Sequence, residues 1–260
     1  MNVLHPGTRL PIRALGSGLL LFALGACGGR QAIPGECGSV HGAEICVWGE
    51  SSGGEIVSFG ATVPISAIED APAEAAMAWP PVANAVLELP EAVRNETGFH
   101  LLTVFWEAHG HPPGPYLTPH FDFHFYSITG EELQAIDCVD VSKPAAIPAG
   151  YTLPDVNIPE IGDLPGLCVP AMGMHSLPTE EMESQSPFEK TLVVGYYGGQ
   201  SIFMEPMLTQ ASLLERQSFS LEVPTVPGQP SGVRYPTSFQ AEYDEYAQAY
   251  RFVFSALEGD

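Results

Sequence analysis

The chain has 260 residues, of which 45% are hydrophobic, with 31 acidic side chains against 9 basic ones and a formal net charge of −22. That imbalance argues against nucleic acid as a partner, because phosphate binding needs clustered Lys and Arg, and the only lysines are Lys143 and Lys190. The excess acid reads as a solubility device rather than a binding patch, and the apolar content is ample for a core.

At the N-terminus, Arg9 and Arg13 precede an apolar run from Leu19 to Leu24 and then Gly25-Ala26-Cys27, the plan of a secretory signal. The run is too short to span a bilayer, which needs about 20 apolar residues. Leu24-Gly25-Ala26-Cys27 resembles the lipobox of bacterial lipoproteins, in which the cysteine is acylated and becomes the new N-terminus. The expectation is a signal over 1–26, a membrane anchor on Cys27, a Gly-rich tether over 27–36 and one β-rich domain over 37–260. An ordinary signal peptide cut nearby gives the same outcome for the domain, which lies outside the cytoplasm, on the periplasmic or outer face of the cell envelope. In that compartment disulfides persist. Cys37, Cys46, Cys138 and Cys168 remain, and proximity favours Cys37 with Cys46 and Cys138 with Cys168. A cysteine metal site is the rival reading, but no pair has the two-residue spacing of a zinc knuckle.

From Cys37 onward the chain runs in short alternating or β-branched stretches: Ala43 to Trp48, Glu55 to Val63, Val86 to Leu89, His100 to Phe105, Phe121 to Ile128, Thr191 to Tyr197, Ser201 to Met204 and Phe219 to Val223. They read as strands. The chain's 27 glycines and 25 prolines punctuate them, so the fold class is mainly β, an antiparallel sandwich or barrel with a few short helices and long Pro-rich loops. Helical signals are confined to Glu69–Ala78, to Glu131–Ile136 behind a Ser127-Ile128-Thr129 cap, and to part of Glu205–Arg216. Gly195-Tyr196-Tyr197-Gly198-Gly199 reads as a hairpin turn. The stretch Lys143–Val169 is a long proline-rich loop, of the kind that covers a site.

The chemistry concentrates in residues 106–126, which hold four of the eight histidines. Phe121, Phe123 and Phe125 alternate with His120, Asp122 and His124, so a strand there turns three rings to one face and three polar groups to the other. Residues two apart lie about 7 Å from each other and can share an ion, whereas His120 and His124 stand about 13 Å apart. Asp122 with one histidine is therefore easier than both histidines together. His109 and His111 add imidazoles within one proline turn. Two later segments, Met172-Gly173-Met174-His175 and Phe203-Met204-Glu205-Pro206-Met207, each place one potential ligand in apolar company. Glu205 there demands compensation by a cation, a metal or hydrogen bonds, unless it caps a following helix. Phosphate loops, nucleotide-binding glycine patterns and nucleophile elbows are absent.

Trp106, Gly110-His111-Pro112, Pro119-His120-Phe121-Asp122-Phe123-His124-Phe125-Tyr126, Pro148-Ala149-Gly150-Tyr151, Met172-Gly173-Met174-His175 and Phe203-Met204-Glu205-Pro206-Met207 together resemble a family of secreted prokaryotic proteins typified by a Thermus hypothetical protein. The resemblance runs from about Gly60 to Phe254. It implies a secreted domain without an assigned activity, and carries over His111, His120, Asp122, His124, His175 and Glu205 as motif positions. His109 falls where the pattern is open. The chain departs from the family after His175, where Ser176-Leu177-Pro178 stands in place of a tryptophan and an acidic residue.

Two readings compete. In one, an extracytoplasmic protein binds a divalent transition metal (zinc, iron or manganese) through His111, His120, His124, His175 and Glu205, with Asp122 as a ligand or as the group orienting an imidazole; whether it is an enzyme stays open. In the other, the same residues form a polar network in a non-catalytic envelope protein, at a core or at the boundary of a homo-oligomer. A carbohydrate or small-ligand binder using Trp48, Trp79 and Trp106 is a third class, resting on scattered aromatics alone.

Overall fold

The computed structural model describes Met1 and residues 29–75, 78–159, 161–184 and 186–259. The signal segment and Cys27 lie outside the described residues. In chain order the elements are β1 (Gln31–Val40), β2 (Ala43–Ser52), β3 (Glu55–Pro64), α1 (Ile65–Glu69), β4 (Ala85–Glu88), α2 (Glu91–Thr97), β5 (Leu101–Glu107), β6 (His120–Tyr126), α3 (Gly130–Gln134), β7 (Tyr151–Thr152), β8 (Val156–Ile158), β9 (Gly162–Leu164), β10 (Met174–Pro178), α4 (Thr179–Ser184), β11 (Lys190–Tyr197), β12 (Gln200–Thr209), α5 (Gln210–Leu214), β13 (Phe219–Glu222), β14 (Tyr235–Asp244) and β15 (Ala249–Glu258). All strand pairs are antiparallel. One sheet has the order β1-β2-β3-β15-β14-β13, the other β4-β5-β6-β12-β11-β10-β7, and β8 with β9 forms a separate hairpin. Both large sheets keep free edges, so the sandwich alternative holds and the barrel does not. Among the described residues no helix is long and apolar enough to cross a membrane.

The two sheets face each other across one apolar core. Phe59, Phe239, Phe252 and Phe254 come from the six-stranded sheet, and Phe121, Phe123, Phe125, Leu192, Val194 and Met204 from the seven-stranded one. Phe125 stacks edge-on against Phe254, and Phe123 against Phe252; full burial of each such ring contributes roughly 1.5–3 kcal/mol. A second apolar cluster, including Tyr116, Leu133, Ile136, Leu164, Leu167, Leu177 and Phe188, covers the outer face of the seven-stranded sheet. Of these, Leu133, Ile136, Leu164, Leu167, Leu177 and Phe188 come from the segment between β6 and β11. As a result every residue of β6 is buried, on both faces.

Gly195 sets the local shape of that outer face. It sits opposite Phe203 in the β11–β12 ladder, and a Cβ at this position would overlap the Phe203 ring. Because nothing occupies the space above Gly195, the ring folds across the sheet and packs 4.8 Å from the His124 ring and 5.1 Å from that of His175. Gly195→Ala is expected to force Phe203 off this position and cost about 1–3 kcal/mol. Urea unfolding reads that cost as a lower midpoint, and an unchanged midpoint refutes it.

The eight expected strands are all present, at shifted ends. The Thr129 cap forms as a complete capping box with Glu132. Gly198 and Gly199, both at positive φ, make the expected hairpin turn. Several expectations are corrected. The helix placed over Glu69–Ala78 is not found among the described residues: α1 is Ile65–Glu69, residues 70–75 are non-helical around Pro72, which has no N–H for an α-helical ladder, and residues 76 and 77 lie outside the described residues. The strand read as Ser201–Met204 continues to Thr209, which caps α5, so Glu205 is not a helix cap. Residues 31–36, assigned to the tether, form the first part of β1 with a bulge between Pro34 and Cys37. The hairpin β14–β15, the strand β10 and the helices α2 and α4 had no counterpart in the sequence reading.

Candidate metal centre

The pleat of β6 turns His120, Asp122 and His124 to the outer face of the seven-stranded sheet, two residues apart in turn. Its neighbours supply the rest. Glu107, the last residue of β5, is paired with His120. Glu205 stands on β12, which lies on the other side of β6, and His175 on β10. His111 comes from the loop after β5, where Gly110 takes φ 66° and a Cβ would overlap the Tyr116 carbonyl. That tight turn lets the His111 amide donate to the same carbonyl at 3.1 Å.

The residues divide into two groups of three. In the first, His120 Nε2 lies 3.1 Å from Asp122 Oδ1 and His111 Nε2 lies 3.6 Å from Asp122 Oδ2. In the second, His124 Nε2 lies 3.5 Å from Glu205 Oε1 and His175 Nε2 lies 4.0 Å from Glu205 Oε2. Within each group one nitrogen or oxygen from every member lies within 4.8 Å of the others, a spacing that could hold a metal ion. The single mixed sphere expected from the sequence is thus two spheres. The reason is the strand repeat, which separates His120 from His124 and lets Asp122 join one group only.

The hydrogen-bonding of the rings fixes their lone pairs. Nδ1 of His111, His120 and His175 faces a backbone carbonyl, of Pro112 at 2.9 Å, Thr118 at 2.6 Å and Leu167 at 3.0 Å. A carbonyl only accepts, so each Nδ1 carries a proton and each Nε2 is directed at a carboxylate. Where the ring is neutral its Nε2 is a lone pair, and a lone pair facing a carboxylate invites a cation between them. Ligands each about 2.1 Å from one ion, at tetrahedral to octahedral angles, stand about 3.0–3.4 Å apart, against imidazole–carboxylate separations of 3.1, 3.5, 3.6 and 4.0 Å here. Meanwhile His120 Nε2, Asp122 Oδ1, both ring nitrogens of His124 and Glu205 Oε2 are buried without a hydrogen-bond partner. Buried polar atoms are almost always satisfied, so five orphans in one place require an explanation.

The two groups differ electrostatically. Burial works against ionisation of Asp122, but His120 and His111 outweigh it and hold the carboxyl well below the usual carboxylate range. His111 is the converse: burial favours the neutral ring, and the hydrogen bond and charge of Asp122 lift it to about 9. Around Glu205 burial prevails. It pushes His124 down to about 3 and His175 to about 4, and raises the Glu205 carboxyl well above its ordinary range, with the Asp122 charge adding to the effect. The second group is therefore a set of neutral ligands around an uncompensated carboxyl.

A cavity of about 740 Å³ opens above both groups, with His111, Asp122, His175 and Glu205 in its wall and His120 and His124 behind it. Glu107 also lines it, its carboxyl raised to about 7 by burial and by the Asp122 charge. Sequence reasoning passed over Glu107, although it closes a strand within the same histidine-rich run. His109 joins neither group: it lies exposed at the cavity wall, 3.3 Å from Glu74. Trp79 and Trp106 share the cavity, whereas Trp48 packs under Arg251 on the other sheet.

Both disulfides pair as expected. Cys37–Cys46 joins β1 to β2, and Cys138–Cys168 ties down the segment covering the site. Fold and site together define an antiparallel β-sandwich with two buried His/carboxylate groups under a disulfide-anchored cover. Comparison with protein-family models, curated proteins and solved structures gives no match to this chain.

Proposed function

We propose that this chain is an extracytoplasmic envelope protein, anchored through an acylated Cys27, that binds two divalent transition metal ions. One ion is held by His111, His120 and Asp122, the other by His124, His175 and Glu205. The observation that carries the reading is the convergence of unpartnered, buried nitrogen and oxygen atoms in two groups of ligand spacing. Imidazole and carboxylate sets of this kind accept zinc, iron or manganese. The two disulfides support an oxidising compartment. Each group supplies three protein ligands, two of which reach the cavity wall, so coordination positions are left for water or a substrate, as in sites that perform chemistry.

The test is plasma mass spectrometry on residues 28–260, secreted and purified without a nickel resin. About two equivalents of metal are expected in the wild type and about one in Asp122→Asn, with the fold retained. A wild type that is metal-free and resists reconstitution overturns the proposal. It would favour the polar-network reading, which draws on the ion pair that Asp122 makes with His111.

A further inference from the structure

Resting on the metal reading above, we propose that the cavity over the two ions binds a small aromatic carboxylate, its rings against Trp79 and Trp106 and its carboxylate on the ions. The cavity has the volume of a small-molecule site, roughly 300–1,000 Å³. Its walls are mostly apolar. Val82, Leu117 and Trp79, which are 77%, 60% and 42% exposed, gather at this one cavity together with the more buried Trp106, Leu167 and Met172. Large apolar side chains left in water and grouped at one opening mark a surface that a ligand covers.

The polar end of the cavity selects the other half of the ligand. Among the described residues its lining contains no Lys or Arg. Two divalent ions outweigh Asp122, Glu205 and Glu107 by one positive charge even with all three carboxylates ionised, and the ions alone can attract an anion. His111 and Asp122 of one group and His175 and Glu205 of the other line the cavity, so a carboxylate could take an open position on either ion. A neutral ligand would leave that charge facing apolar walls. Tryptophan faces favour a flat, aromatic body, which stacks at an offset over the indole.

Calorimetry with 2-naphthoate tests this on residues 28–260, zinc-loaded and metal-stripped, with zinc content measured in every sample. The loaded protein is expected to bind 2-naphthoate at least about tenfold more tightly than acetate or 2-naphthamide, and stripping is expected to abolish binding. Trp79→Ala, at a partly exposed position, should weaken 2-naphthoate about tenfold at unchanged zinc content. Zinc loading without preferential binding of 2-naphthoate overturns this inference and leaves the metal reading intact, as does 2-naphthoate binding that survives stripping. Failure to take up zinc overturns both.

Discussion

Glu205→Gln is expected to lower the metal content of residues 28–260 from about two equivalents to about one, with an effect on stability that changes sign with metal. Glu205 is 1% exposed and among the described residues no Lys or Arg pairs with it; its neighbours are His124 and His175, both kept neutral by burial. An ionised carboxylate taken out of water without a compensating charge costs several kcal/mol. Glutamine has the same shape and no charge, so the metal-stripped variant should be at least as stable as the stripped wild type. With metal the order reverses. An ion present at a thousand times its dissociation constant stabilises the native state by about 4 kcal/mol, and the variant forfeits that share at the second group. Urea unfolding with and without zinc measures both halves. A variant that keeps two equivalents, or that zinc stabilises as much as the wild type, would sink the assignment of Glu205 as a ligand.

Loss of the Cys138–Cys168 bridge is the second large effect. The bridge spans 30 residues of sequence, and freeing a loop of that length in the unfolded chain costs about 3–4 kcal/mol. Its position adds a consequence for the site. Cys168 follows Leu167, whose carbonyl accepts from His175 Nδ1 and turns Nε2 towards Glu205. Cys138→Ser/Cys168→Ser is therefore expected to weaken zinc at the second group by about 10–100-fold, the usual effect of losing an orienting partner. Cys37→Ser/Cys46→Ser provides the control. That bridge closes a span of 9 residues within the β1–β2 ladder, far along the chain from either group, and zinc affinity should be unchanged. Equal losses of affinity in the two double variants would show that the bridge acts through general stability alone.

Much of this was legible in the sequence because the strands that build the core are strongly patterned. The alternation of Phe121, Phe123 and Phe125 with His120, Asp122 and His124 announces both the strand and its two faces. What escaped was either weakly patterned or non-local. In β14 the inward Tyr235 and Phe239 are separated by Pro236, Ser238 and the exposed Thr237, and β10 is five residues long with a proline at its end. Both are held by ladder partners rather than by their own hydrophobicity. The partition of the ligands could not be read along the chain at all. It depends on β12 lying next to β6, and on β10 reaching across from β11, which bring His175 and Glu205 to His124 from 51 and 81 positions along the chain.

The two-faced burial of β6 bears on how the protein can change over time. With a repeat of two, adding or removing one residue inside His120–Tyr126 would exchange the faces beyond that point. Phenylalanines would then enter the cavity and ligands the sandwich core. Stability and chemistry would fail together, so this segment tolerates substitution but not a change of length. The cover is different. Ile158, Pro159 and Ile161 of the bridged segment line the cavity, where each doubling of loop length costs only about 0.6 kcal/mol. Insertions there would reshape the cavity roof and its selectivity while leaving the ligand strand in register.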